Sequence, residues 1–305
     1  MALSQYNSPT FPQTPWAPQE FLQNPCTAIV VSPDLHTALE AEPSWARTAP
    51  IVLEEREFLK LRAAIDLRLD ALRHPYHRKQ HCWDVEVRFI EIAYALSLSE
   101  ADQQLGQVAC LAHDLDHSGL LIRQKVSGLQ YPSYSNEEFT CLGADQLSRD
   151  YLGTKQRLQL QGMYLATSHA QDKLDSSIGV DAAILRPYRP TTLLERALVL
   201  ADVSACLREG FETSVNEGLL VLRERPAENF PASFPEWVDQ QAEFVLQVKT
   251  RLESIPELKD SEYFDQAQAK FSELIPAFQA LRDGTHTDFA NTQREWLEVR
   301  QQVLG

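Results

Sequence analysis

The chain has 305 residues, 44% of them hydrophobic, which is enough apolar side chain to bury a core and is inconsistent with global disorder. A formal net charge of -15 favours solubility and argues against sequence-independent binding to a nucleic acid polymer, which needs a broad basic surface. A local basic pocket for a single phosphate stays compatible with that charge.

Five cysteines (Cys26, Cys82, Cys110, Cys141 and Cys206) are scattered and form no C-x-x-C pair, so a zinc ribbon or thioredoxin-like motif is unsupported. Their odd number in a long chain fits a reducing compartment. The opening MALSQYNSPTFPQTPW lacks the charged and apolar regions of a secretory signal. No apolar run approaches the ~20 residues of a membrane span, and a cytoplasmic protein is the expectation.

Residues 1–50 hold eight of the 17 prolines and little helical periodicity. Proline fixes φ and removes a donor, so a Pro-rich arm is expected there, with CTAIVVS as a short strand-like stretch. From residue 51 to 305 the pattern is that of a single all-α domain. Leu59, Leu61, Ile65, Leu69 and Leu72 recur at helical spacing among strong helix formers. Asp84 to Leu98 repeats the pattern through Val85, Phe89, Ile90 and Tyr94. Ser99 caps a further helix running to His113, with Asp102 in its acidic first turn. Helices are also expected near 137–150, 154–170, 191–208, 236–253, 260–281 and 287–303. Two Gly- or Pro-containing loops, 118–135 and 223–236, are long enough to be functional.

Six of the eight histidines fall between 74 and 169: His74, His77, His81, His113, His117 and His169. They cluster in HPYHRKQHCWDV and HDLDHSG. His77 and His81 are four residues apart, as are His113 and His117, a spacing that places each pair on one helix face. Asp114 follows His113. Downstream, LVLADVSA puts Asp202 late in an apolar helix, where a carboxylate is costly to bury unless paired or bound to a metal. Neutral imidazole with carboxylate suits Zn, Fe, Mn or Mg, and a position left open to water yields a nucleophile near neutral pH. A lone His-Asp dipeptide carries no information; the ordered conjunction does. Asp84 and Asp116 are expected to orient the metal histidines.

These residues resemble the HD superfamily, named for paired His-Asp metal ligands on an all-α helical bundle. Tyr76-His77-x-x-x-His81-x-x-Asp84-Val85 is similar to the Y-H-N-x-x-H-A-x-D-V signature of class I cyclic-nucleotide phosphodiesterases, and His113-Asp114-Leu115-Asp116-His117-Ser118-Gly119 to their H-D-x-x-H-P-G. Weaker blocks follow in order: Ser135 with Glu138, Ala166-Thr167, and Ala201-Asp202-x-Ser204. The resemblance implies that His81, His113, Asp114 and Asp202 hold a tight ion, zinc. It implies a second ion, Mg or Mn, bridged by Asp114, with its waters held by His117, Glu138 and Thr167. His77 would be the general acid while a metal-bridging hydroxide attacks phosphorus, and Tyr76, Gln241 and Phe244 would bind substrate. Gln241 and Phe244 have the form of the family's Gln and Phe that clamp a purine; an ordinary amphipathic helix with Phe244 in its core is the alternative.

The chain departs from the family pattern at Arg78, Ser118, Ile122, Phe139-Thr140-Cys141, Ser168 and Ala205-Cys206. Most of these positions surround the substrate rather than the metal. The resemblance therefore implies a phosphodiesterase acting on a cyclic or otherwise small nucleotide. Still open are an HD-type hydrolase of other nucleotides, an HD-type di-iron oxygenase needing more histidines than His117 and His169 supply, and a non-catalytic regulatory module. Oligomeric state has no sequence signature here.

Overall fold

The computed structural model describes residues 52–117, 125–126, 129–130, 136–167, 190–225 and 227–305. The Pro-rich arm, CTAIVVS, Ser118, Gly119, Ile122, Ser135, Ser168 and His169 lie outside the described residues. The regular structure of the described residues is helical apart from a minimal antiparallel pairing of β1 (Lys125–Val126) with β2 (Leu129–Gln130), in which Lys125 faces Gln130. The all-α expectation holds at that level.

Three helices form the centre. The first is α2 (Lys79–Ala95), whose residues Cys82, Val85, Phe89 and Ile92 are fully buried. The second is α3 (Glu100–Ala112), preceded by α1 (Glu55–Leu69). Ser99 caps α3 as its sequence predicts, accepting a hydrogen bond from the Asp102 amide. Gly106 of α3 is needed for packing. A Cβ there would lie 1.9 Å from the Phe89 ring, so only a glycine lets α2 and α3 approach this closely. The third is α6 (Leu193–Val203), started by a reciprocal capping box in which the Thr192 hydroxyl accepts from the Glu195 amide and Glu195 accepts from the Thr192 amide. Each of α2, α3 and α6 packs on the other two.

Around this centre lie α4 (Asn136–Ser148) and α5 (Thr154–Ala166), packed on each other, with α5 also touching α3 and α6. The expected helix over 191–208 is broken at Ser204, whose backbone leaves the helical region, and resumes as the short α7 (Ala205–Glu209). Gly210, with φ of 87°, then turns the chain into α8 (Phe211–Glu224). The sequence reading did not anticipate α8. The remaining helices α9 (Phe234–Glu253), α10 (Glu262–Arg282) and α11 (Phe289–Leu304) match their expected spans closely. They bury Trp237, Phe271, Phe278 and Trp296.

Periodicity located helices better than it located their buried faces. In α1, Leu61, Ile65 and Leu69 are buried, but Leu59 is 53% exposed. In α2, Ile90 and Tyr94 face outward, with Tyr94 84% exposed. The 223–236 loop shrinks, because α8 runs to Glu224 and α9 starts at Phe234 behind the Ser233 cap. No helix among the described residues is long and apolar enough to cross a membrane.

Candidate metal centre

The expected ligands come from three places on the central helices. His81 lies in the first turn of α2, His113 and Asp114 follow the last residue of α3, and Asp202 is next to the end of α6. All four are buried. His81 Nε2 lies 3.3 Å from His113 Nε2 and 3.1 Å from Asp202 Oδ1. Asp114 Oδ2 is 3.4 Å from His113 Nε2 and 3.6 Å from His81 Nε2, and His113 Nε2 is 3.5 Å from Asp202 Oδ1. Adjacent donors bonded at roughly 2.0–2.2 Å to one ion stand about 3.0–3.5 Å apart, so these separations fit a common ion.

Two further observations support that fit. Asp114 Oδ2 is buried yet accepts no hydrogen bond, the condition of an atom awaiting a cation. On His113, Nδ1 donates to the Cys110 carbonyl at 2.7 Å, which leaves the Nε2 lone pair facing the other ligands. The residues present therefore fit a divalent metal ion.

The electrostatics follow the same logic. Burial would raise the Asp114 carboxyl, but His113, His77, His81 and His117 around it bring it down to about 2. Asp202 is held well below the usual carboxylate range: burial opposes ionisation, and the bonds from His113 and His81 overcome it. His81 is pushed down by burial, which its carboxylate partners offset only in part. Burial opposes the charge on His113, but Asp114, Cys82 and Asp202 together outweigh it and pull the imidazole well above its ordinary value.

The expected placement of each histidine pair on one helix face is not what is found. His77 precedes α2, His113 caps α3, and His117 follows a turn. That turn is reversed at Asp116, whose φ of 63° is left-handed, so the chain folds back instead of continuing as helix. The result is a different pairing: the His77 and His117 rings stack at 3.9 Å with planes 14° apart. His77, Asp114 and His117 form a second group whose donor atoms lie within 4.8 Å of one another, sharing Asp114 with His81 and His113. Burial beside His77 brings His117 down to about 4, which keeps its imidazole neutral.

Asp84 and Asp116 do not orient the metal histidines. Asp84 accepts from Gln80 within α2. Asp116 takes a two-pronged pairing from Arg68 of α1, at 2.8 and 2.6 Å. Its carboxylate also lies against Gly143 of α4, where a Cβ would come within 2.2 Å of Oδ2. The HDLDH turn is thus clamped from outside. Thr140 of α4 adds to the clamp: fully buried, its hydroxyl is placed to donate to the carbonyls of both His113 and Leu115, either side of Asp114.

Sequence reasoning missed Glu224, the last residue of α8. Its Oε2 lies 2.5 Å from His77 Nδ1, and its Oε1 accepts from the backbone amides of Tyr76 and His77. Burial opposes the charge on His77, but Asp114 and Glu224 outweigh it and raise the imidazole above its ordinary value. The bonds from His77 lower Glu224 in spite of burial. Nδ1 is therefore engaged, and Nε2 is the nitrogen free to act on a substrate. A signal for Glu224 existed. Val215, Leu219 and Leu222 have helical spacing, and an acid at the end of such a helix opposes the macrodipole unless it has a partner.

The remaining expected residues divide. Tyr76 packs on His81 and His77, with ring centroids at 4.4 and 4.9 Å. Thr167 is buried at the end of α5, where its hydroxyl donates to the Tyr164 carbonyl. Glu138 lies in the first turn of α4. Of the other two, the Gln241 carboxamide lies against Gly218 of α8, and Phe244 packs half-buried on the core. Compared with known proteins, the chain matches no family model, no curated protein and no solved structure.

Proposed function

We propose that the chain is a metal-dependent phosphohydrolase of the HD type, hydrolysing a phosphodiester of a cyclic or otherwise small nucleotide. The observation that carries this reading is the juxtaposition of a buried His81-His113-Asp114-Asp202 ligand set with an imidazole, His77, fixed by Glu224 and left outside that set. His81, His113, Asp114 and Asp202 would hold one ion, for which zinc suits the donor set, and Asp114 beside His117 would face a second, Mg or Mn. When bound, such ions supply an activated water and neutralise phosphate charge.

The chain's own groups do the rest. Asp114, shared between the two donor groups, fixes their spacing. His77 holds a proton, kept there by Glu224 and Asp114, and its Nε2 can deliver that proton to the departing oxygen. Glu224 holds the ring in orientation through Nδ1, and its second oxygen pins the backbone on which His77 stands. Tyr76 walls the ligand His81 from one side.

The test is a hydrolysis screen of chelator-treated protein against cyclic nucleotides, nucleotides and bis-p-nitrophenyl phosphate, with Zn, Mn and Mg restored singly and together. Metal-dependent release of a monoester is the expected result. Absence of turnover on every substrate with every metal overturns the reading. The grouping of His77 and His117 with Asp114 supports one other reading, a di-iron oxygenase in which both imidazoles are ligands. Two bound irons with oxygen consumption would select it.

A further inference from the structure

Arg88 is 2% exposed, among the most buried side chains of the described chain. It lies seven residues after His81 in α2, on the same helix face. Its Nε donates to the Ala201 carbonyl at 2.7 Å, and its Nη2 reaches the carbonyl of Asp202 itself at 3.4 Å. Because α6 ends at Val203, the carbonyls of its last turn have no intrahelical amide to accept from, and the negative end of the helix dipole favours a cation there.

A carboxylate partner alone would account for a buried arginine differently. Arg62 shows how: its guanidinium takes both oxygens of Glu86, at 2.5 and 2.7 Å. Arg88 instead directs its bonds to the backbone of α6, while Glu209 and Glu217 balance its charge from 3.8 Å. Its planar fork reaches two successive carbonyls from two separate nitrogens, a fixed geometry that an ammonium lacks.

We propose that Arg88 is a positioning residue of the metal centre. It ties α2, which carries His81, to the turn of α6 that carries Asp202, and so sets the 3.1 Å separation between His81 Nε2 and Asp202 Oδ1. The proposal rests on the metal-centre reading given above. Groups that orient ligands from behind govern affinity as well as geometry.

The experiment measures Zn²⁺ affinity of the full chain by competition with a chromophoric chelator, alongside thermal unfolding of the same samples. Wild type is expected to bind Zn²⁺ stoichiometrically. Arg88→Met should weaken binding about 10–100-fold, the usual effect of losing such a support. Arg88→Lys, which restores the charge and one bond, should fall between the two. In all three proteins kcat should converge at saturating metal. Arg62→Met is the control: it breaks the ion pair of a half-buried arginine with the buried Glu86, and should lower Tm while leaving Zn²⁺ affinity at the wild-type value.

Wild-type affinity in Arg88→Met overturns the proposal, as does an equal loss in Arg62→Met, which would mark a general effect of destabilisation. Should Arg88→Met fail to fold, wild-type affinity in folded Arg88→Lys overturns it equally. A wild-type protein that binds no Zn²⁺ removes the metal-centre reading itself, a result distinct from any of these.

Discussion

At the scale of single residues, His77 and Glu224 form the most consequential pair. Loss of a general acid usually costs ~10²–10⁴ in turnover. His77→Ala should show a loss of that size on substrates with poor leaving groups, while bound metal remains. With p-nitrophenolate as leaving group the loss should shrink, because that anion needs little protonation. An equal loss on both kinds of substrate would remove the acid role. The pair also sets a pH limb. His77 is raised above its ordinary value of 6.5, so its acid form is lost only as pH rises through that raised value. Turnover should fall on that alkaline side. Glu224→Gln removes the negative charge that helps to hold the proton, and the limb in a kcat–pH profile should move to lower pH. A profile that stays in place, or moves upward, contradicts the assignment.

The elements show how the proposed ligands are held from outside the site. Asp114 sits in a turn rather than a helix, and its direction depends on Thr140 of α4 and on Arg68 of α1 gripping Asp116. Thr140→Val keeps the shape but deletes a buried donor, at a cost of about 1–3 kcal/mol. For a chain of this size that is a fall of several degrees in Tm, measurable by calorimetry. Metal affinity should fall with it, whereas Thr192→Ala, which removes a distant cap, should lower Tm alone.

The element scale also shows what was legible. His81, His113, Asp114 and Asp202 stand out by their ordered recurrence, and Asp202 by the cost of a carboxylate in an apolar helix; the structure brings the four side chains together. Asp116 was misread because its left-handed φ turns the chain away, a property that helical spacing cannot express. Glu224 was hidden because it lies 147 residues from His77 and falls within the loop expected over 223–236, with no helix expected before it. Gln241 fits a motif in sequence, yet its carboxamide lies against Gly218, a close approach visible only once α8 and α9 are packed.

For the whole molecule, the centre concentrates two buried carboxylates and two buried imidazoles where the three central helices meet. A ligand that binds only the folded state stabilises it by about 4 kcal/mol at a thousandfold excess over its Kd. Chelation should therefore lower Tm, and restored Zn²⁺ should recover it. Asp202→Ala should abolish both the recovery and the activity while leaving the helices intact by circular dichroism. Wild-type metal content in that variant would take Asp202 out of the ligand set.

The distance along the chain between these ligands has its own consequence. His81 and Asp202 are separated by 121 residues, and between them the chain must build α3, α4 and α5 before the two can meet. An unfolded or half-made chain offers isolated histidines and carboxylates, which rank first-row metals by intrinsic affinity and so favour copper. Only the docked trio of helices presents a cage whose spacing can override that order. On the proposed metal-centre reading, the docked state would set the choice of metal, and a chain refolded in mixed metals should carry different ions from one folded first and loaded afterwards.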